Sequence, residues 1–335
     1  MDRYLVTGAA GFIASVVSQK LLDSGAEVVG IDNLNHAYDV RMKEYRLEKL
    51  KDNPRFSFLK LDVSDRSLLD NDQLIGKDFK AVVNLAARAG VRDSLKDPWV
   101  YMETNATGTL NLLELCKREG IGKFLLASTS SIYGQEAPLP TPETAPSNKP
   151  LQAYAASKGA AEVMAHAYHY LFGIDVSIVR YFTVYGPAGR PDMVMFRFAK
   201  WIAEDMPVNL NGSGEQSRGF TYVEDIARGT IAALEPVGYE IFNLGGHEII
   251  TINELISTLE AIIGKKANVI HRPQHPADMM ISHADVTKAK ESLGWDPRVS
   301  LNEGIGKTVQ WYLDEQSWAK NIITDQQSAG EKNRP

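Results

Sequence analysis

Short apolar runs alternate with stretches of helical apolar spacing through residue 182. Tyr4-Leu5-Val6-Thr7, Glu27-Val28-Val29-Gly30-Ile31 and the runs at 56–61, 81–87, 123–127 and 176–181 are mostly continuous blocks, as strands buried on both faces are. Helices are predicted over 15–24, 46–51 and 105–119, with Gly25 and Gly120 as stop signals. Residues 33–45 read as polar and irregular. This order predicts an α/β chain with a doubly wound parallel sheet.

After Tyr181 the pattern changes. A Gly/Pro loop at 186–191 precedes a predicted helix over 193–204, and Asn211-Gly212-Ser213-Gly214 has hairpin-turn chemistry. A strand at 220–223, helices at 225–234, 252–263 and 286–293, and a short strand at Val269-Ile270 follow. The expected division is a cofactor domain over 1–182, with a returning segment at about 223–247. A smaller α+β substrate lobe would use 183–222 and 248–320, and the polar tail 321–335 is expected to be disordered.

The 335 residues are 44% apolar and 23% charged, which suits a globular chain with two lobes. A net charge of -6 argues against nucleic-acid binding. Cys116 is the sole cysteine and sits in a helical pattern, so it reads as a core residue without a disulfide framework. The chain has no apolar run near the roughly 18 residues of a membrane span and no secretory signal, so a soluble cytoplasmic protein without a membrane partner is expected.

Chemistry gathers at strand ends. Gly8 permits a tight turn after the first strand, and Gly11 lets the backbone approach a pyrophosphate at the next helix N-terminus, a Rossmann-type arrangement. Asp32 follows Gly11 by 21 residues and suits the adenosine ribose hydroxyls, favouring NAD over NADP; a turn-capping Asp is the plainer reading. The 123–127 run delivers Ser128-Thr129-Ser130-Ser131, and Tyr154 and Lys158 share one helix face. A cationic amine beside a phenol lowers the phenol pKa, as a general base requires, although Tyr-x-x-x-Lys alone often arises by chance. His36, His166 and His169 lack metal-site spacing, and Asp192 reads as a loop or cap residue.

Together these motifs resemble extended short-chain dehydrogenases/reductases of the NAD-dependent epimerase/dehydratase family. Thr7 to Ile13, Asp32-Asn33, Asp62-Val63, Leu85-Ala86-Ala87, Ile132-Tyr133-Gly134, Tyr181 to Pro187 and Arg218 to Tyr222 add to the likeness, which covers residues 1–318. Within the family, Asp32 to Asn35, Arg88 to Arg92 and Gly186 to Met193 most resemble members that epimerise C4 of UDP-glucuronate.

The resemblance implies NAD held by Gly8, Gly11, Phe12, Ile13, Asp32, Asn33, Asn35, Lys43, Asp62, Val63, Leu85, Ala86, Ala87, Asn105, Tyr154, Lys158, Tyr181 and Val184. It implies Tyr154 as the base at the sugar 4-hydroxyl, Lys158 on the nicotinamide ribose and Thr129 on the 4-oxygen. A UDP-sugar would meet Gly90, Arg92, Ser130, Ser131, Thr183, Arg190, Arg218 and Arg272, with His275 a further candidate; Arg272 and His275 also read as solvated loop residues. Dehydratases of the family carry Asp-Glu after the Thr, and uronate decarboxylases a Glu; Ser130 and Ser131 supply neither acid nor base. They suit neutral contacts to a C6 carboxylate, or simple turn capping. A neutral-sugar 4-epimerase, a decarboxylase or dehydratase, and a non-enzymatic NAD sensor are the alternatives. The resemblance also implies a homodimer through helices 105–119 and 154–172. Departures are Ala14 for a usual glycine, Gly219 for an aspartate, and Ala277 for a glycine.

Overall fold

A computed structural model describes residues 1–273 and 280–324. Of the tail 321–335 expected to be disordered, 321–324 is instead packed, with Ile322 1% exposed and Trp201 donating to the Thr324 hydroxyl at 3.2 Å; the rest lies outside the described residues. The first half alternates strands and helices: β1 Arg3–Thr7, α1 Phe12–Asp23, β2 Glu27–Ile31, α2 Arg41–Lys51, β3 Phe56–Leu59 and β4 Ala81–Asn84. Then come α3 Pro98–Tyr101, α4 Gly108–Glu119, β5 Lys123–Thr129, α5 Ala153–Phe172 and β6 Asp175–Tyr181. The second half holds β7 Thr183–Tyr185, α6 Val194–Ala203, β8 Pro207–Asn211, β9 Ser217–Tyr222, α7 Val223–Ala232 and β10 Tyr239–Leu244. It closes with β11 Ile249–Thr251, α8 Ile252–Ile263, β12 Asn268–Arg272, β13 Ile281–Ser282, α9 Thr287–Leu293, α10 Leu301–Asp314 and α11 Gln316–Ala319.

The large sheet is parallel throughout, in the order β10-β6-β5-β4-β1-β2-β3. Its order reverses between β1 and β4, the topological switch point where ligands of such sheets bind. Two cores cover its faces: one includes Val6, Val28, Val83 and Leu125, the other Leu5, Val82, Phe124 and Leu126. Successive side chains point to opposite faces, so both faces need apolar cover, and all seven residues of β5 are buried. The returning strand β10 pairs with β6 from Tyr239↔Val176 to Leu244↔Tyr181. A smaller sheet, β11-β9-β13 with β7 also on β9, packs with α6, α8 and α10 around a third core containing Trp201, Leu255 and Val309.

Several local expectations change. The 211–214 turn makes no hairpin, because β8 pairs in parallel with β12 while β9 pairs with β7, β11 and β13. Gly212 and Gly214 do reverse the chain at φ +74° and +86°, but the turn packs on α8: Asn253 Nδ2 donates to Ser213 O at 3.1 Å. Helix α2 begins at Arg41, not 46, since Met42 and Lys43 already face the interior. The 105–119 helix is entered through a wider π-helical turn, Met102–Thr107. Pattern reading also passed over α10, whose N-cap Ser300 accepts the Glu303 N–H at 3.3 Å.

Charged groups inside this fold are largely paired. Arg180 of β6 meets Glu162 of α5 through two bonds of 3.0 and 2.6 Å, with the pair almost wholly buried. Removing one partner strands the other charge. Arg180→Met is therefore expected to destabilise the chain by about 3–5 kcal/mol, read from urea unfolding midpoints. Adding Glu162→Leu should recover a large part of that loss, and no recovery would show that the pair matters through something other than charge.

Candidate active site

A cleft opens at the C-terminal ends of β1, β2, β4 and β5, the edge to which a parallel sheet delivers its loops. Gly8, at φ +70°, is required there: a Cβ would lie 2.9 Å from the Ala86 backbone. A Cβ on Gly11 would come within 2.7 Å of Gly8 O. The two glycines let the first turn pass beneath residues 85–87 and present the N-terminus of α1 to the cleft, an arrangement suited to a phosphate. Phe12, Ile13, Leu85, Ala86 and Ala87 join them on the cleft wall. Ala14 also lines it and is 2% exposed, so the extra methyl is accommodated.

At the end of β2, Asp32 Oδ1 accepts the Leu34 N–H at 2.8 Å, and Lys43 Nζ stands 3.7 Å from it. Lys43 also donates to Asn35 Oδ1 at 3.1 Å; burial lowers its pKa, with Asp32 opposing. Asp32, Asn33, Asn35, Lys43 and Val63 line the cleft. Asp62 does not: its carboxylate accepts from Asn33 at 2.7 Å and from the Ser64 hydroxyl at 2.6 Å. Burial favours protonating Asp62, but those bonds outweigh it and hold the pKa below the ordinary value. Asn105 and Val184 also lie off the wall.

Tyr154, Lys158 and Tyr181 close the far end. Thr129 stands near enough to Tyr154 to favour its ionised form, and its Oγ1 accepts the Ser131 N–H at 3.2 Å. The resemblance implied a Tyr pKa lowered by Lys158. Here the Tyr154 pKa is raised, because burial dominates; the neighbouring Thr129 hydroxyl and the Arg190 charge oppose it. Lys158 is 2% exposed, and its ammonium has no hydrogen-bond partner among the described residues. Burial pushes its pKa down to about 8, with Glu162 opposing. Ser128 Oγ is likewise buried and unpartnered on the same wall. Two orphaned polar groups on the cleft wall fit the hydroxyl-rich end of a dinucleotide.

The expected substrate ligands are not gathered on one wall. Arg190 lines the cleft, but Asp192 grips it through bonds of 3.1 and 2.6 Å, and Ala89 O accepts from it at 3.2 Å. Asp192 is thus the partner of Arg190, and Met193 takes the N-cap of α6. Burial disfavours the Arg190 charge, yet Asp192 raises its pKa above the ordinary value. Ser130 lines an adjoining cavity with Gly134, Phe182 and Ser282. Because Thr129 pairs with Tyr181 in register, Ser130-Ser131 and Phe182-Thr183 leave the sheet at the same edge.

Gly90, at φ +131°, sits in the loop after β4. With the Asn211 amide turned so that its oxygen faces the guanidinium, Arg92 donates to it at 2.8 and 2.6 Å. Arg218 donates to Ser217 O at 2.7 Å and Met280 O at 3.2 Å, and Arg272 is exposed and donates to Asn209 at 3.0 Å. His275 and Ala277 lie outside the described residues. Gly219 has a packing reason, since a Cβ there would stand 3.1 Å from Gly246 O.

Sequence reasoning missed Tyr38 and Arg46. Arg46, 3% exposed, donates to Ala10 O, Ala188 O, Gly189 O and the Tyr38 hydroxyl, tying the glycine turn to the 188–189 loop. The Arg46 and Arg190 guanidiniums both lie over the Tyr38 ring, at 5.6 and 5.7 Å. One basic residue in a charged helix carries no signal of that role.

Fold and cleft together define a dinucleotide-binding protein of the Rossmann type, with Tyr154 and Lys158 on the cleft wall. Residues 4–245 match the NAD dependent epimerase/dehydratase family. The chain belongs to that family. It is 51% identical over 325 residues to the UDP-glucuronate 4-epimerase of Thermodesulfobacterium geofontis, covering 96% of this chain and 99% of the relative. Among solved structures, the UDP-glucuronic acid 4-epimerase of Bacillus cereus, in complex with UDP-glucuronic acid and NAD, superposes with a TM-score of 0.87 at 38% identity, covering 93% and 99% of the two chains. A dTDP-glucose 4,6-dehydratase from Streptomyces venezuelae, with NAD bound, also reaches 0.87, at 31% identity and with 94% and 98% covered. Shape therefore does not separate epimerase from dehydratase.

The unpartnered ammonium of Lys158 has a measurable cost. Its folded pKa of about 8 lies below the ordinary 10.5, so the unfolded chain binds more protons between those values. Stability of the cofactor-free protein is then expected to rise as pH climbs from about 8 to 10.5. Lys158→Met should raise the thermal midpoint of the cofactor-free protein at pH 7, by an amount equivalent to about 1–3 kcal/mol, while removing activity. A lowered midpoint would show that the ammonium is satisfied within the fold.

Proposed function

We propose that the protein is an NAD-dependent UDP-sugar 4-epimerase that interconverts UDP-glucuronate and UDP-galacturonate. The observation that carries this is the pairing of the Thr129–Tyr154 contact and partnerless Lys158 with two neutral residues, Ser130 and Ser131, at the edge where dehydratases of the family carry acids. The 51% identity to a UDP-glucuronate 4-epimerase supports the same substrate. NAD supplies the acceptor and donor of hydride at C4.

In this reading the N-terminus of α1 and the glycine turn bind the pyrophosphate, and Asp32, Asn33, Asn35 and Lys43 bind the adenosine ribose side. Lys158, with Ser128 beside it, holds the nicotinamide ribose. Tyr154 Oη takes the 4-hydroxyl proton and later returns one, and Thr129 steadies the 4-oxygen. Reorientation of the sugar between the two proton transfers inverts C4 without further acid–base groups. A 4-keto uronate is a β-keto acid and loses CO2 easily, so the carboxylate must be held away from alignment with the carbonyl. Ser130, Ser131 and Thr183 are neutral donors suited to that task, with Arg190, Gly90 and Arg92 on the substrate side. Arg218 and Arg272 are assigned to the diphosphate side.

We further assign cofactor binding to residues 1–182 with 223–247, and sugar-nucleotide binding to 183–222 and 248–320. The single buried cysteine and acidic balance support a cytoplasmic location. A homodimer is supported by the outward face of α5, where Val163, Tyr170 and Leu171 are 72%, 80% and 65% exposed. Among the described residues no helix is long and apolar enough to cross a membrane.

Incubation with UDP-glucuronate, followed by proton NMR, should yield UDP-galacturonate with neither CO2 nor net NADH. Tyr154→Phe should lower kcat by roughly 10²–10⁴-fold. A pentose product with stoichiometric NADH would mean decarboxylation and would sink the assignment of Ser130 and Ser131. Sedimentation velocity should report a dimer that Tyr170→Glu with Leu171→Glu converts to monomer; a wild-type monomer would remove the dimer from the proposal.

A further inference from the structure

Tyr101 ends α3 and enters the π-helical turn Met102–Thr107, and it is 2% exposed. Its ring meets the Tyr154 ring edge-on, with centroids 6.1 Å apart and planes at 71°. Its hydroxyl donates to the Gly90 carbonyl at 3.0 Å. Four residues later, Asn105 accepts the Arg88 N–H at 2.9 Å and donates to Arg88 O at 3.0 Å and Ser157 Oγ at 2.9 Å. One turn of helix thus pins residues 88 and 90 and grips α5 between Tyr154 and Lys158.

We propose that Tyr101 is a positioning residue for the reaction at Tyr154: its ring seats the Tyr154 phenol, and its hydroxyl fixes the Gly90 peptide, so base and substrate-side loop keep one register. The inference rests on the assignment of Tyr154 as the acid–base group. Each half of the side chain has its own task. Gly90 holds φ +131°, a conformation L side chains rarely adopt, and its carbonyl is shared between the Tyr101 hydroxyl and the Ser94 N–H at 3.2 Å, so the phenol supplies the side-chain tether for that oxygen. The neighbouring Ala89 carbonyl accepts from Arg190 at 3.2 Å, so the same loop also seats a substrate-side cation. Burial pushes the Tyr101 phenol itself up to about 12, so it remains a proton donor at neutral pH and does not compete as a base. Wide helical turns of this kind recur at functional sites because they aim side chains that regular helices cannot.

The test separates ring from hydroxyl in the full-length enzyme. Tyr101→Phe keeps the ring: KM for UDP-glucuronate should rise about 5–10-fold with kcat within about twofold. Tyr101→Leu loses the ring as well: kcat should fall about 10–100-fold, since small misplacements of a reacting group cost that much. Gly90→Ala would press a Cβ to 3.3 Å from the Tyr101 hydroxyl, so its effect on KM should be non-additive with that of Tyr101→Phe. Thermal midpoints and bound-NAD content report folding, and the Phe variant and the cycle stand if the Leu variant does not fold.

A wild type inactive on UDP-glucuronate would count against the proposed substrate alone. The positioning role is then read without substrate, from the pH titration of Tyr154 by phenolate ultraviolet absorbance, each protein measured against its Tyr154→Phe counterpart. Tyr101→Leu should lower the midpoint by admitting water, and Tyr101→Phe should leave it in place. Unchanged kcat, KM and midpoint in both variants would overturn the proposal, as would equal losses in both that follow the folded fraction.

Discussion

A sheet buried on both faces must pair its backbone groups internally, and that requirement organises this protein. The parallel ladder from β3 to β10 uses up the strands' hydrogen-bonding capacity, so chemistry concentrates where the strands end. At the switch point a buried polar chain finishes the accounting. Thr7 Oγ1 donates to Asn84, Asn84 donates to Thr109, and Thr109 donates to the Asn105 carbonyl, at 2.8, 3.0 and 2.7 Å. The Ala86 N–H returns to Thr7 at 3.1 Å. The glycine turn, residues 85–87 and the π-helical turn are therefore held by one network.

The site departs from the rest of the interior in its electrostatics. Arg180 is paired with Glu162, Lys123 with Asp175 and Ser177, and Arg46 with three carbonyls and a phenol. Lys158 is buried as deeply but bonds to no group among the described residues. Leaving an ammonium in that state costs stability that apolar packing elsewhere must offset, and sites of binding and catalysis are where folds keep such conflicts. Tyr154 carries the complementary conflict, a phenol whose ionisation burial opposes and only Thr129 and Arg190 favour. Polar atoms of a bound ligand would relieve both, which would link ligand binding to the ionisation of Tyr154.

Strand–helix alternation, the Gly8–Gly11 turn, Asp32 at a strand end and Tyr154 above Lys158 were all legible before any coordinates. Each depends on near neighbours in the chain: an apolar run long enough for a strand, a glycine where φ turns positive, two residues one helical turn apart. Sequence reasoning passed over Tyr38, which lines the cleft, and Arg46, which ties the glycine turn to the next loop; the roles of both depend on contacts with residues 188–190. The 211–214 turn misled for the same reason, because β8 takes its partner from β12, about sixty residues later. Arg190 looked like an available cation, and only the fold shows that Asp192 holds its guanidinium on one edge.

The sequence by itself determined the architecture and the placing of Tyr154 and Lys158 on one helix face, because periodicity and glycine placement are local constraints that the chain satisfies wherever it goes. The tertiary structure alone decided which charges are neutralised, which polar groups are left for a ligand, and which wall each hydroxyl of Ser128 to Ser131 serves. Those outcomes follow from desolvation and from pairing between segments far apart in sequence. Neither quantity exists until the chain has closed around the site.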